Sequence, residues 1–367
     1  MSRMRRLAAY SFLLLANAVP VGAFSPVLPT DNDALFRGKP EQFYMYTDRD
    51  FEGVKSRPWQ GGAYGFTRNQ QRVGGKIILT KFHEGIDVAP LRRDASGEPL
   101  DEVRAIESGR VVHTSNDAKD SNYGKLAVVE HDIAGTPVYS IYAHLAAVDV
   151  RPGQTIAQGD RIGRLGYTGA GINQRRAHLH LEIALLWHDK FETWHDANFP
   201  DPNKHGLYNG INLMGLDAAQ FYLQQRKNPS LTLPQFVRRQ EPFFRVRIPE
   251  SPHFQLPRRY PWLVEGDASG ARSWLVSFTG PGFPVSIEAS TEPAESPRVE
   301  WVAPAKFPYS KMTRRLIDGS RSRPLLGESG KKLVDLITWD PSSRPPPQPE
   351  GGLSEVPANH NLPSSDE

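Results

Sequence analysis

Three short segments of this chain gather residue types that can do chemistry: Phe82-His83-Glu84-Gly85-Ile86-Asp87-Val88, Tyr142-Ala143-His144-Leu145 and Ala177-His178-Leu179-His180-Leu181-Glu182. Four of the eleven histidines sit in them. In a strand, alternating side chains put His178, His180 and Glu182 on one face and Leu179, Leu181 and Ile183 on the other. The leucine face packs into a core, so the histidine face is left for other work. One imidazole can bind a metal while the other, two positions away, reaches a group bound to that metal. The first segment supplies further ligand types, since imidazole nitrogen and carboxylate oxygen both suit Zn²⁺ and catalytic zinc keeps an open position. Gly85 lets the chain bend so that His83 and Asp87 converge. The segment opens like His-Glu-x-x-His, but its fifth position is Asp87, so a helical site with Glu84 as base does not fit. Each piece alone is weak, because an isolated histidine in a strand is more often structural.

The elements that must position these residues read as short strands between glycine turns. Runs at Arg110–His113, Lys125–His131, Pro137–Leu145 and Ala177–Ile183 have β character, and a helix is expected near Leu216–Gln225. A second set follows at Phe244–Ile248, Ser273–Thr279, Val285–Ile287, Val299–Val302 and Leu333–Trp339. The fold class expected is mainly β. Residues 81–228 form an antiparallel sheet with a groove, and residues 229–340 form a small β domain that positions or regulates. Residues 24–80 flank the groove, and residues 341–367, with a Pro-Pro-Pro run, form a disordered tail. His113 and His131 are expected to be structural. Glu182 is a candidate partner of a metal ligand. Tyr142, two positions before His144, is a candidate contact for an oxyanion. Trp59, Tyr64 and Phe66 pack into a core or wall the groove.

In order along the chain, these motifs resemble the lysostaphin-type (LytM-type) zinc metallopeptidases. His-x-x-x-Asp is followed by Gly109-Arg110-Val111-Val112, then by Tyr123-Gly124-Lys125-Leu126-Ala127-Val128. Tyr-Ala-His-Leu comes next, then the Pro152–Gly163 turn region, Gly166-Tyr167-Thr168-Gly169 and His-Leu-His-Leu-Glu. The match covers about a hundred residues, from Phe82 to Ile183. The resemblance implies Zn²⁺ held by His83, Asp87 and His180, with His144 and His178 as the catalytic histidines facing a zinc-activated water. It implies hydrolysis of peptide bonds in bacterial peptidoglycan. Two stretches depart from the family pattern: Pro90–Val103 is longer than usual, and Gly171–Ala177 reads Gly-Ile-Asn-Gln-Arg-Arg-Ala where a short Gly/Ser/Pro turn is common. The rival from another class is a non-catalytic wall-binding or hydrolase-activating module that keeps the fold. A biotinyl- or lipoyl-carrier reading fails, because the turn at Gly166–Gly169 has no lysine.

Composition sets the surroundings. Among 367 residues, 32 prolines and 31 glycines favour many turns and short strands over long helices. Arg3, Arg5 and Arg6 precede an apolar run from Leu7 to Leu15, with small residues at Ala16, Ala18 and Ala23, the order of a secretory signal peptide cleaved after Ala18 or Ala23. The run is short for a membrane span, so the mature protein is expected to be periplasmic or secreted, with no membrane span. Removing the three arginines of residues 1–23 takes the formal charge from +3 to zero, which argues against a nucleic-acid partner. With no cysteine the exported chain has no disulfides, so its core, with a metal, must hold it together.

Overall fold

The computed structural model describes residues 24–133 and 135–343. The expected leader and almost all of the proline-rich tail lie outside them. The candidate residues are carried by a long hairpin, a short strand and one large sheet. The hairpin pairs β1 (Gly65–Val73) with β2 (Lys76–His83), and β3 (Ile86–Val88) follows at once. The sheet contains β4 (Gly109–Ser115), β5 (Leu126–Ile133), β6 (Thr136–Ala143), β7 (Thr155–Ile156), β8 (Leu179–Leu186) and β9 (Leu213–Gly215). Its order is β7-β4-β5-β6-β8-β9, all antiparallel, with β3 also pairing to β8.

Period-two alternation divides the two faces of this sheet. Ala127, Val129, Val138, Tyr142, Leu179, Leu181 and Ile183 point into the main apolar core. Leu126, Val128, Ile141, Ala143, Ala184 and Leu186 form a smaller apolar cluster on the opposite face. His180 and Glu182 precede Ala184 and Leu186 on that second face, so the candidate site lies at its end.

The helix expected at Leu216–Gln225 is α1 here (Ala218–Lys227), started by Asp217, whose carboxylate accepts the Gln220 N–H at 3.0 Å. Residues 229–340 contribute a five-stranded sheet. β10 (Phe244–Pro249), β11 (Val264–Glu265), β12 (Ser273–Phe278), β13 (Pro284–Ser290) and β14 (Arg298–Val302) lie in the order β11-β13-β12-β10-β14. The strand expected at Leu333–Trp339 is instead the end of a helix, α2 (Glu328–Ile337). Gly330, Val334 and Ile337 recur at helical spacing and are buried, while the lysines at 331 and 332 and Asp335 break any β alternation. This region joins the main core: Phe236 packs on Phe221 with ring centres 5.2 Å apart, and the Tyr260 hydroxyl accepts the Leu186 N–H at 2.8 Å. No helix among the described residues is long and apolar enough to cross a membrane.

Candidate active site

The hairpin ends on His83, and two residues later β3 begins. Strand register does the rest. His180 lies opposite Asp87 of β3 on one side and Ala143 of β6 on the other. The bend at Glu84–Gly85 must pass hard against β8. A Cβ on Gly85 would come within 2.6 Å of the Leu181 carbonyl and 2.8 Å of the His180 ring. Close approach, and no special dihedral angle, is what requires glycine there.

His83 Nε2, Asp87 Oδ1 and His180 Nδ1 converge into a triangle with edges of 3.1, 2.9 and 3.1 Å. All three residues are buried. Their protons are fixed from behind. His83 Nδ1 lies 2.9 Å from the Ala63 carbonyl, and His180 Nε2 lies 2.9 Å from the Glu182 carboxylate. Both partners only accept, so the outer nitrogens carry hydrogen and the inner ones are the atoms left to ligate a metal. Three lone pairs at about 3 Å repel unless a positive charge sits among them. Tetrahedral zinc with bonds of about 2.0–2.2 Å needs ligand atoms about 3.3 Å apart, so the triangle fits after a small expansion. With no metal there, a proton on His180 Nδ1 shared with Asp87 supplies that positive charge, and a metal would displace it. Burial alone would lower the His180 imidazole, but hydrogen bonds to Asp87 and Glu182 outweigh it and raise the group to about 10. Burial alone would likewise raise Asp87, but the facing imidazoles of His83 and His178, with Arg68, hold its carboxyl well below the usual range.

His144 and His178 stand beside this triangle. Their ring centres are 4.7 Å apart, and His178 Nε2 is 3.5 Å from Asp87 Oδ1. Each is anchored through Nδ1 to a backbone carbonyl, Thr168 for His144 at 2.9 Å and Arg176 for His178 at 2.6 Å. Those acceptors leave Nε2 of each ring as an unprotonated acceptor. Burial is the main reason that His178 is pushed down to about 4 and His144 well below the ordinary imidazole range, so both are neutral near pH 7.

Tyr142 does not reach the site. It opposes Leu181 on the core face, fully buried, and its hydroxyl accepts the Ile106 N–H at 2.8 Å. Strict alternation would send His144 to that face too. Its left-handed backbone (φ 60°) breaks the alternation and returns the ring to the site face. His131 is structural, bonded to the Ser108 carbonyl and the Ser140 hydroxyl, and His113 pairs with His205. Tyr64 and Phe66 pack edge-on against Phe82, and Trp59 stacks on Tyr44. Two supports were not anticipated. Arg68 on β1 bonds Asp87 Oδ2 at 2.5 Å, and the Tyr123 hydroxyl donates to Glu182 at 2.6 Å. Arg68 belongs to no motif. Tyr123 stands in the Tyr123–Val128 motif, where the sequence assigns its side chain no role.

Residues 81–190 match the family model described as Peptidase family M23. This segment belongs to that family. All five candidate residues fall inside the M23 segment, whereas Arg68 lies before it. Similar solved structures include the catalytic domain of the antimicrobial peptidase lysostaphin from Staphylococcus simulans, 18% identical with a TM-score of 0.28, covering 45% of this chain and 96% of that one. A zinc-containing peptidase from Vibrio cholerae is 22% identical with a TM-score of 0.24, covering 39% of this chain and 36% of its own length. The catalytic domain of the prophage-encoded M23 protein EnpA from Enterococcus faecalis is 18% identical with a TM-score of 0.24, covering 38% and 79%. No curated protein matches the chain.

Proposed function

We propose that this protein is an exported zinc endopeptidase that hydrolyses peptide bonds in bacterial peptidoglycan. The observation that carries the reading is the triangle of His83, Asp87 and His180, three inward-facing ligand atoms with their outer atoms held by Ala63, Glu182 and Arg68. Bound there, Zn²⁺ would acidify a water and polarise the scissile carbonyl. The chain's own groups then handle the protons. His144 and His178, neutral and tied back through Nδ1, each offer Nε2 to the cavity. One accepts a proton from the attacking water, and the resulting imidazolium stands beside the developing oxyanion. Return of that proton to the amine nitrogen releases the product. Export is part of the proposal and rests on the arginine-then-apolar order before Ala23. N-terminal sequencing of protein recovered outside the cytoplasm is expected to begin at Val19 or Phe24.

His178 and His180, two positions apart where β8 begins, provide the test. His180→Ala should lose zinc and activity together. His178→Ala should keep stoichiometric zinc after dialysis while kcat falls ~10²–10⁴-fold. Zinc lost from His178→Ala but kept by His180→Ala would reverse the two roles. Full activity in both would put the chemistry elsewhere. A wild-type protein that holds zinc yet cleaves no peptide would favour the non-catalytic module.

A further inference from the structure

The two stretches that depart from the family pattern are joined into one structure. In the first, Arg93 bridges to Pro99, and its guanidinium donates to the Gly97 carbonyl at 2.7 Å and across to the Gln174 carbonyl at 2.8 Å. Gln174 answers with bonds to the Ser96 carbonyl and, at 2.6 Å, the Glu98 carboxylate. The Tyr167 hydroxyl, from the turn before, donates to the same carboxylate. So buttressed, the second stretch forms a 3₁₀ turn (Gln174–Arg176) capped by Asn173, which accepts the Arg176 N–H. The turn has two outputs at one residue. The Arg176 carbonyl fixes His178, and the Arg176 side chain, braced on the Gly171 carbonyl at 3.0 Å, lines the cavity in front of the metal triangle.

That cavity is basic. Its lining includes the cations Arg68, Lys81 and Arg176 against the carboxylates of Glu84 and Asp87, before any metal charge is added. Arg68 is committed to Asp87. Outside the lining, Arg314 lies over the ring of the lining residue Phe82, 4.8 Å from its centre. A guanidinium fixed by a built turn, in a partly enclosed site of positive potential, is suited to a carboxylate.

We propose that Arg176 is a specificity residue that binds a free carboxylate of the substrate peptide close to the scissile bond, so that the enzyme prefers acidic stem peptides to uncharged ones. This rests on the peptidase reading above. The test uses the zinc-loaded full-length protein and two synthetic tetrapeptides of peptidoglycan stem sequence, identical except that the side-chain carboxyl next to the scissile bond is free in one and amidated in the other. Wild type should cleave the acid with kcat/KM roughly ten- to hundredfold higher than the amide. Arg176→Gln should lose most of that preference by slowing on the acid alone, and Arg176→Lys should recover part of it. A purely structural loss at this turn would slow both peptides equally, and that result overturns the proposal. Equal cleavage of both by wild type overturns it too, while leaving the peptidase reading intact. Cleavage of neither, with no calorimetric preference for the acid, overturns both.

Discussion

At the scale of single residues, two histidines that look alike in the sequence end in opposite circumstances because of what stands behind them. His144 faces the cavity because one backbone angle leaves the β region. Strand alternation cannot foretell that, so the same rule that found the His178 and His180 face misplaced Tyr142. His131 is sealed between a carbonyl and a hydroxyl, and burial pushes it down to about 4. Unfolded, it would titrate near 6.5. Between those values the unfolded chain binds a proton that the folded chain refuses, so stability falls as pH drops from about 6.5 to about 4. The loss attributable to this group approaches about 3 kcal/mol at the acid end. His131→Gln keeps hydrogen-bonding atoms but does not titrate. Melting curves at pH 7.5 and 4.5 should show a smaller acid loss for the variant than for wild type. Equal losses would show that His131 does not contribute.

At the scale of elements, the site depends on how closely the Glu84–Gly85 bend crosses β8. Gly85→Ala places a methyl against the Leu181 carbonyl and the His180 ring. The bend must move outward, taking His83 and Asp87 from His180, and metal affinity should fall at least tenfold while the β-rich circular dichroism spectrum is kept. Unchanged zinc affinity would mean that the bend can relax without disturbing the triangle. The five candidate residues were legible in the sequence as short motifs; His83, Asp87 and His180 lie on paired strands, and His144 and His178 each sit one residue outside one. The groups behind them were less so. Arg68 comes from a hairpin fifteen positions before His83 with no signal of its own, and it reaches Asp87 only through tertiary packing. The helix Glu328–Ile337 was misread because its apolar cluster at Leu333–Ile337 has the composition of a strand, and only the polar residues at 331, 332 and 335 mark its period.

At the scale of the whole molecule, residues 229–340 contribute both a sheet of their own and part of the common core. Leu231, Leu233, Phe236 and Tyr260 are buried in the cluster that also holds Leu181 and Phe221. The Trp194 indole donates to Asp335, and the Trp262 indole donates to Thr136. A chain ending at Asn228 would expose that surface and should melt at least roughly 10 °C lower than the full protein. An unchanged melting temperature with zinc still bound would establish that the peptidase segment stands alone. The proposed activity is likewise a property of the intact, metal-loaded protein. Its most direct measurement is incubation of purified peptidoglycan with the full-length protein, with and without zinc, followed by mass spectrometry of the soluble fragments. New amino and carboxyl termini at peptide bonds, produced only with zinc and not by His178→Ala, are the expected result. Fragments cut only in the glycan strand, or no release by a folded protein with stoichiometric zinc, would contradict the account.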